Sequence, residues 1–301
     1  MNIGIDLGGS HIGVALIENG KILTKREEDI EKNTKDIKKL IIEKICKYIS
    51  QILSEKEITL EDIGTLGISS PGVAKDGNIY NIVNLGIDEF KITEMLNKKI
   101  NYKNIKIMND AKCAAIAEFN YGCMKNFEDG IFLTLGTGIG GAAFIKNTLI
   151  QSKNYPGTEF GHMVICKNGK ECKCGNRGCF EKYCSMKALK EEVKEQYKLK
   201  EDVTSKEIID LIKNDIKNEK MSKIIDNYIE YLAIGIVNLV NIFEPEVIGI
   251  GGSAVYIKEI LIKRLKREII TNNILFNKRD DINIQIATLG NDAGMIGAAS
   301  L

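Results

Sequence analysis

The chain has no tryptophan, only two histidines, almost no net charge and no long uninterrupted apolar run in 301 residues. With 42 Lys+Arg against 41 Asp+Glu and no basic arm, nothing favours a nucleic-acid partner. The longest strongly apolar stretch, 228–243, contains Glu230, Asn238 and Asn241. It is too short and too polar to span a bilayer, so no membrane association is expected. An apparent strand starts at Ile3, so no signal peptide is expected, and the eight cysteines are expected to stay reduced in the cytoplasm. The length fits one large domain or two ordinary ones.

Against that plain background, residues 157–181 stand out. They read G-T-E-F-G-H and then, after nine residues, C-K-C-G-N-R-G-C-F-E. His162, Cys172, Cys174 and Cys179 make a Cys3His donor set, a common closed tetrahedral zinc site. Four protein ligands leave no open position, so the metal is expected to be structural. Glu159 and Glu181 flank the donors, which suggests that the metal knot is scaffolding for a binding site.

The chain also repeats itself. Residues 3–22 and 131–150 align without a gap, pairing Leu7 with Leu135, Gly8 with Gly136, Gly13 with Gly141, Ala15 with Ala143, Ile17 with Ile145 and Asn19 with Asn147. Each copy reads as a β-hairpin, with two apolar strands around a glycine-rich turn. Glycine permits close backbone approach, and successive amides in such a turn can cradle an anion. Two matching turns suggest two related lobes that present amides to one phosphate chain.

Elsewhere strands and helices alternate, which argues for an α/β fold. Ile37, Leu40, Ile41, Ile45, Tyr48, Ile49 and Ile52 share one helical face. Strands are expected at 66–69, 105–108, 247–250 and 282–287, and helices at 111–118, 221–243 and 292–300. Residues 186–220 read as helical patches whose lysines are a solvated surface. Asp6 is either a turn-stabilising side chain or a magnesium ligand. Asp110, at a strand-to-helix junction, is either a helix N-cap or a catalytic carboxylate. Gly251-Gly252, between a strand and a helix, reads as an ordinary turn.

Together D-L-G-G-S at 6–10, N-D at 109–110, L-G-T-G-I-G-G at 135–141, G-T-E-F-G-H and the cysteine run resemble the ROK family of sugar kinases and sugar-responsive repressors. That resemblance implies an actin-like ATPase (ribonuclease H-like) fold with two lobes and an active-site cleft between them. The N-terminal lobe would span 1–118 with the closing helix at 290–301 returning to it, and the C-terminal lobe 119–289. It implies Asp110 as general base, with Asn84, Asn109, Glu159, His162 and Glu181 binding the sugar. Gly8, Gly9, Ser10, Gly136, Thr137 and Gly138 would face the triphosphate, and Gly251 and Gly252 the adenosine side. Asp6 would hold magnesium, directly or through water. The resemblance further implies ATP as donor and a homodimer. His11, where many relatives carry lysine, is given only a local role. The asparagine of V-N-L-G-I at 83–87 is kept, but the tryptophan often found after it is not; Ala142 replaces a further glycine.

These implications favour an ATP-dependent hexose kinase, glucokinase-like, over kinases for N-acylmannosamine, fructose or allose. A family repressor carries a DNA-binding region ahead of the first strand, and Asp6 leaves no room for one, so that reading is set aside as an expectation. A catalytically silent sugar sensor is the third possibility.

Overall fold

The computed structural model describes residues 1–31, 34–152, 157–272 and 282–301. Along the chain run β1 (Asn2–Leu7), β2 (His11–Glu18), β3 (Lys21–Asp29), α1 (Ile37–Glu55), β4 (Leu66–Ser70), β5 (Val73–Lys75), β6 (Asn78–Ile82), β7 (Ile87–Phe90), α2 (Ile92–Ile100), β8 (Ile105–Asn109) and α3 (Asp110–Asn120). Then come β9 (Gly130–Leu135), β10 (Ile139–Ile145), β11 (Thr148–Leu149), α4 (Glu181–Cys184), α5 (Met186–Tyr197), α6 (Ser205–Asp215), α7 (Glu219–Phe243), β12 (Val247–Gly251), α8 (Lys258–Asn272), β13 (Ile284–Ile286) and α9 (Ala293–Ala298). Two compact units result: Met1–Lys125 with Gln151–Gly157 and Leu289–Leu301, and Asn126–Ile150 with Thr158–Thr288. Among the described residues no helix is long and apolar enough to cross a membrane.

The first unit is built on a sheet of order β3-β2-β1-β4-β8. β1 lies antiparallel to β2 and parallel to β4, and β4 lies parallel to β8. Ile3, Ile5 and Leu7 of β1 are fully buried. The apolar face of α1 lies in the same core, with Ile41, Ile45, Ile49 and Ile52 almost or wholly excluded from solvent. The Asp36 carboxylate starts that helix by accepting from the Lys39 amide at 3.0 Å.

Close approach governs how the closing helix joins this sheet. A Cβ at Gly67 would collide with the Ala298 carbonyl oxygen, so only glycine lets α9 lie on β4. A Gly67→Ala variant is expected to lose about 1–3 kcal/mol of stability through overpacking. Urea denaturation measures this, and an unchanged midpoint would refute the close-packing account.

The second unit repeats the plan with the order β11-β10-β9-β12-β13. Again a hairpin, β9 with β10, is followed by parallel neighbours, β12 and then β13. The hairpins differ in one respect that the gapless alignment conceals. Leu7 pairs with Ile12 across the first turn, while Leu135 pairs with Ile139 across the second, which is one residue tighter. Lysine-rich 186–220 forms α5 and α6, which bury Leu189, Val193, Ile208, Ile209 and Ile212 and leave most of their charged residues outward. The long α7 begins two residues earlier than the sequence reading placed it, at the Asn218 N-cap, and ends at left-handed Glu244 before Pro245.

Candidate functional site

In the first unit the expected residues gather at the carboxyl ends of parallel strands, where α/β sheets place their ligands. Register sets Asp6 of β1 opposite Ser69 of β4, and Ser70 opposite Asn109 of β8. The Ser69 hydroxyl donates to Asp6 Oδ1 at 2.7 Å, and His11 Nε2 lies 3.2 Å from Asp6 Oδ2. That hydrogen bond, with the Asp6 charge, raises the His11 pKa. The ring also covers Gly8, where a Cβ would strike it.

The turn itself has one closed and two open amides. Gly8 N–H donates to the His11 carbonyl at 2.9 Å, whereas the Gly9 and Ser10 amides donate to nothing among the described residues. Asn84, in a short 3-10 turn at Val83–Leu85, lies over Gly9; a Cβ there would meet its Nδ2 at 2.6 Å.

Asn109 and Asp110 divide the junction between β8 and α3. The helix N-cap is Asn109, whose Oδ1 accepts from the Ala111 amide at 3.0 Å and whose Nδ2 donates to the Gly72 carbonyl at 3.2 Å. Asp110 is the first helical residue and its Oδ1 also accepts from the Ala111 amide, at 2.7 Å. Its side chain reaches solvent, yet surrounding protein limits its hydration. That desolvation pushes its carboxyl above the usual aspartate range, and the Asp6 charge pushes the same way.

In the second unit the turn follows the same logic. Gly136 N–H donates to the Gly138 carbonyl at 2.9 Å, and the Thr137 and Gly138 amides donate to nothing among the described residues. Gly161, in the 3-10 turn Phe160–His162, packs against the Ile139 carbonyl, which fixes Glu159 and His162 beside β10. His162 Nδ1 lies 3.7 Å from Cys172 Sγ, and Cys174 Sγ lies 3.6 Å from Cys179 Sγ. The ligand atoms of all four residues lie within 4.8 Å of one another.

A zinc ion with bonds of about 2.3 Å to sulfur sets tetrahedral corners about 3.8 Å apart, so the donor set and its spacing fit zinc. The loop is also held by its own backbone and bridge contacts. Glu171 and Arg177 bridge its base, and the Cys172 amide donates to the Asn176 carbonyl at 2.9 Å. The Asn176 amide lowers the Cys174 pKa, while burial and the neighbouring sulfurs push Cys179 up to about 12. Crowded thiols of this kind gain from a cation that takes their protons' place.

A model of the ROK family matches residues 2–301. This chain belongs to the ROK family. It is 30% identical to a glucokinase of Halalkalibacterium halodurans across 99% of this chain and 94% of that one. It is also 30% identical to the xylose repressor of Bacillus spizizenii, across 100% of this chain and 76% of the repressor. Among solved structures, a ROK family glucokinase from Streptomyces griseus in complex with glucose and AMPPNP superposes with a TM-score of 0.79 at 23% identity, covering 99% and 98% of the two chains. The α/β fold is the actin-like ATPase fold that the motifs lead one to expect.

The ROK fold also places residues that sequence reasoning passed over. Ser69 fixes the Asp6 carboxylate, a pairing set only by strand register. Buried Lys112 on α3 donates to the Gly157 carbonyl at 2.9 Å. Buried Glu118 accepts from the amides of Cys123 at 2.8 Å and Leu289 at 2.7 Å, tying the end of α3 to the return of the chain. Gly251 and Gly252 have a packing reason for being glycine. Gly252 has φ +72°, and a Cβ there would lie 2.6 Å from the Leu135 carbonyl oxygen.

Proposed function

We propose that this ROK protein is an ATP-dependent sugar kinase that phosphorylates a hexose, with glucose the first candidate. The observation that carries this reading is Asp110. It is an accessible carboxylate with a raised pKa, in the same unit as Asp6 and a turn with two open amides. A base poised nearer to neutrality removes a hydroxyl proton more effectively, and phosphoryl transfer otherwise depends on positioning and charge neutralisation.

In this reading the Asp110 carboxylate takes the proton of a sugar hydroxyl as that oxygen forms its bond to the γ-phosphorus and the bond to ADP breaks. Asn84, Asn109, Glu159, His162 and Glu181 hold the sugar hydroxyls. The amides of Gly9, Ser10, Thr137 and Gly138 hold phosphate oxygens, with Gly8 and Gly136 closing the two turns, and Gly251-Gly252 faces the adenosine. Asp6, held by Ser69, orients the magnesium of the nucleotide, directly or through water. That ion supplies charge neutralisation on the phosphates. His162, whose Nδ1 faces Cys172 Sγ, would hold zinc with Cys172, Cys174 and Cys179; its other ring nitrogen would be left for the sugar, and ligation would fix the tautomer. The reading includes a cytoplasmic setting, in which the eight cysteines stay reduced, and a homodimer, which the resemblance adds.

ADP release coupled to a reporter, measured across hexoses and amino sugars, tests the reading. Turnover on glucose at the highest kcat/KM supports it; a preference for N-acylmannosamine, fructose or allose reassigns the sugar. Sugar binding without turnover on any of them would replace the kinase by a sensor.

A further inference from the structure

Glu181 does not stand only with the cysteine loop. Its Oε2 accepts from the Ile139 amide at 2.9 Å, immediately after the second glycine turn. The carboxylate lies so close over Gly138 that a Cβ there would collide with it. The turn is tied at its other end as well, where the Lys187 amide donates to the Gly136 carbonyl at 3.2 Å. The short segment 181–187 thus holds both flanks of the turn and leaves the Thr137 and Gly138 amides open. Oε1 makes no hydrogen bond among the described residues and is the oxygen left for a ligand.

We propose that Glu181 is a positioning residue for the second glycine turn: it holds the turn in the conformation that offers the Thr137 and Gly138 amides to phosphate. The proposal rests on the kinase reading and adds a role to it. One oxygen of a single carboxylate serves the donor side, and the other serves the sugar. The physical basis is the acceptor itself: a side-chain oxygen fixes the Ile139 amide, and a glycine turn has little else to restrain its backbone.

Two variants separate the roles. Glu181→Ala removes both oxygens, while Glu181→Gln keeps one carbonyl oxygen for the Ile139 amide and puts an amide group where the second oxygen was. Titration with magnesium–AMPPNP, without sugar, reads the turn; sugar KM reads the other role. Glu181→Ala is expected to weaken nucleotide binding about tenfold, the loss of one hydrogen bond, and to speed hydrogen exchange at the Ile139 amide. Glu181→Gln is expected to restore most of both while its sugar KM stays raised. Nucleotide affinity unchanged in Glu181→Ala, with only the sugar KM altered, would overturn the proposal and leave the kinase reading intact. A wild-type protein that binds no nucleotide overturns both.

Discussion

An Asp110→Asn variant is expected to lose phosphoryl transfer by roughly 10²- to 10⁴-fold in kcat, the range for a general base. Sugar affinity is expected to change little, because asparagine keeps the shape of the side chain. Its Oδ1 can still accept from the Ala111 amide, as Asp110 does at 2.7 Å. Steady-state kinetics with a binding titration measures both quantities. Turnover near the wild-type rate would remove Asp110 from the mechanism.

The same substitution carries a stability signature of opposite sign. Desolvation by the surrounding protein and the Asp6 charge raise the Asp110 pKa in the folded chain. Such a group supports folding below its unfolded pKa and loses that support as pH rises through the folded value. Above the folded pKa the wild type carries an ionised carboxylate in an unfavourable place, and there Asp110→Asn is expected to melt at a higher temperature. The gain shrinks as pH falls below the ordinary aspartate range, where the wild-type side chain is protonated too. Equal melting temperatures at pH 7 would mean that the site holds no such strain. A less active but more stable variant is the usual sign of a functional residue kept at the expense of stability.

Legibility in the sequence followed the range of the interactions. The hairpins could be read because glycine turns between apolar strands are local signals. The face of α1 could be read because six buried residues recur at helical spacing. The cysteine cluster was the most legible of all, since three of its donors, Cys172, Cys174 and Cys179, fall within eight residues and His162 lies only ten before them. By contrast, β3 reads Lys-Ile-Leu-Thr-Lys-Arg-Glu-Glu-Asp, too charged to suggest a strand, and pairs only because β2 offers an edge. The three-stranded sheet of β5, β6 and β7 escaped for a related reason: its strands are short and set between turns with left-handed Asp76, Gly77 and Gly86. Asn109 and Asp110 are both good N-caps by type, and only the backbone decides that Asn109 takes the position. The Ser69–Asp6 and Glu181–Ile139 hydrogen bonds span 63 and 42 residues, and no local pattern encodes either.

Cys174→Ser is the second change with a large expected effect. Cys174 is the exposed member of the cluster, and its Sγ lies 3.6 Å from Cys179 Sγ. A serine hydroxyl is a poor substitute for a thiolate toward zinc. Zinc is therefore expected to fall from about one ion per chain, the stoichiometry of a closed four-donor site, to a trace. The unit should not unfold as a whole. Phe180 and Cys184, just beyond the loop, are buried in the core of the second unit with Leu232 and Ile236 of α7. The damage is instead expected in the loop and in what it orients. His162 would lose the ligation that fixes its ring, and Glu181 the rigid segment that precedes it. Sugar affinity is then expected to fall roughly 10- to 100-fold, as when the partners that orient a site's ligands are removed. Elemental analysis and sugar titration of both proteins decide the matter. A native protein without zinc would end the metal assignment, and a zinc-free variant with wild-type sugar affinity would detach the cluster from the sugar site.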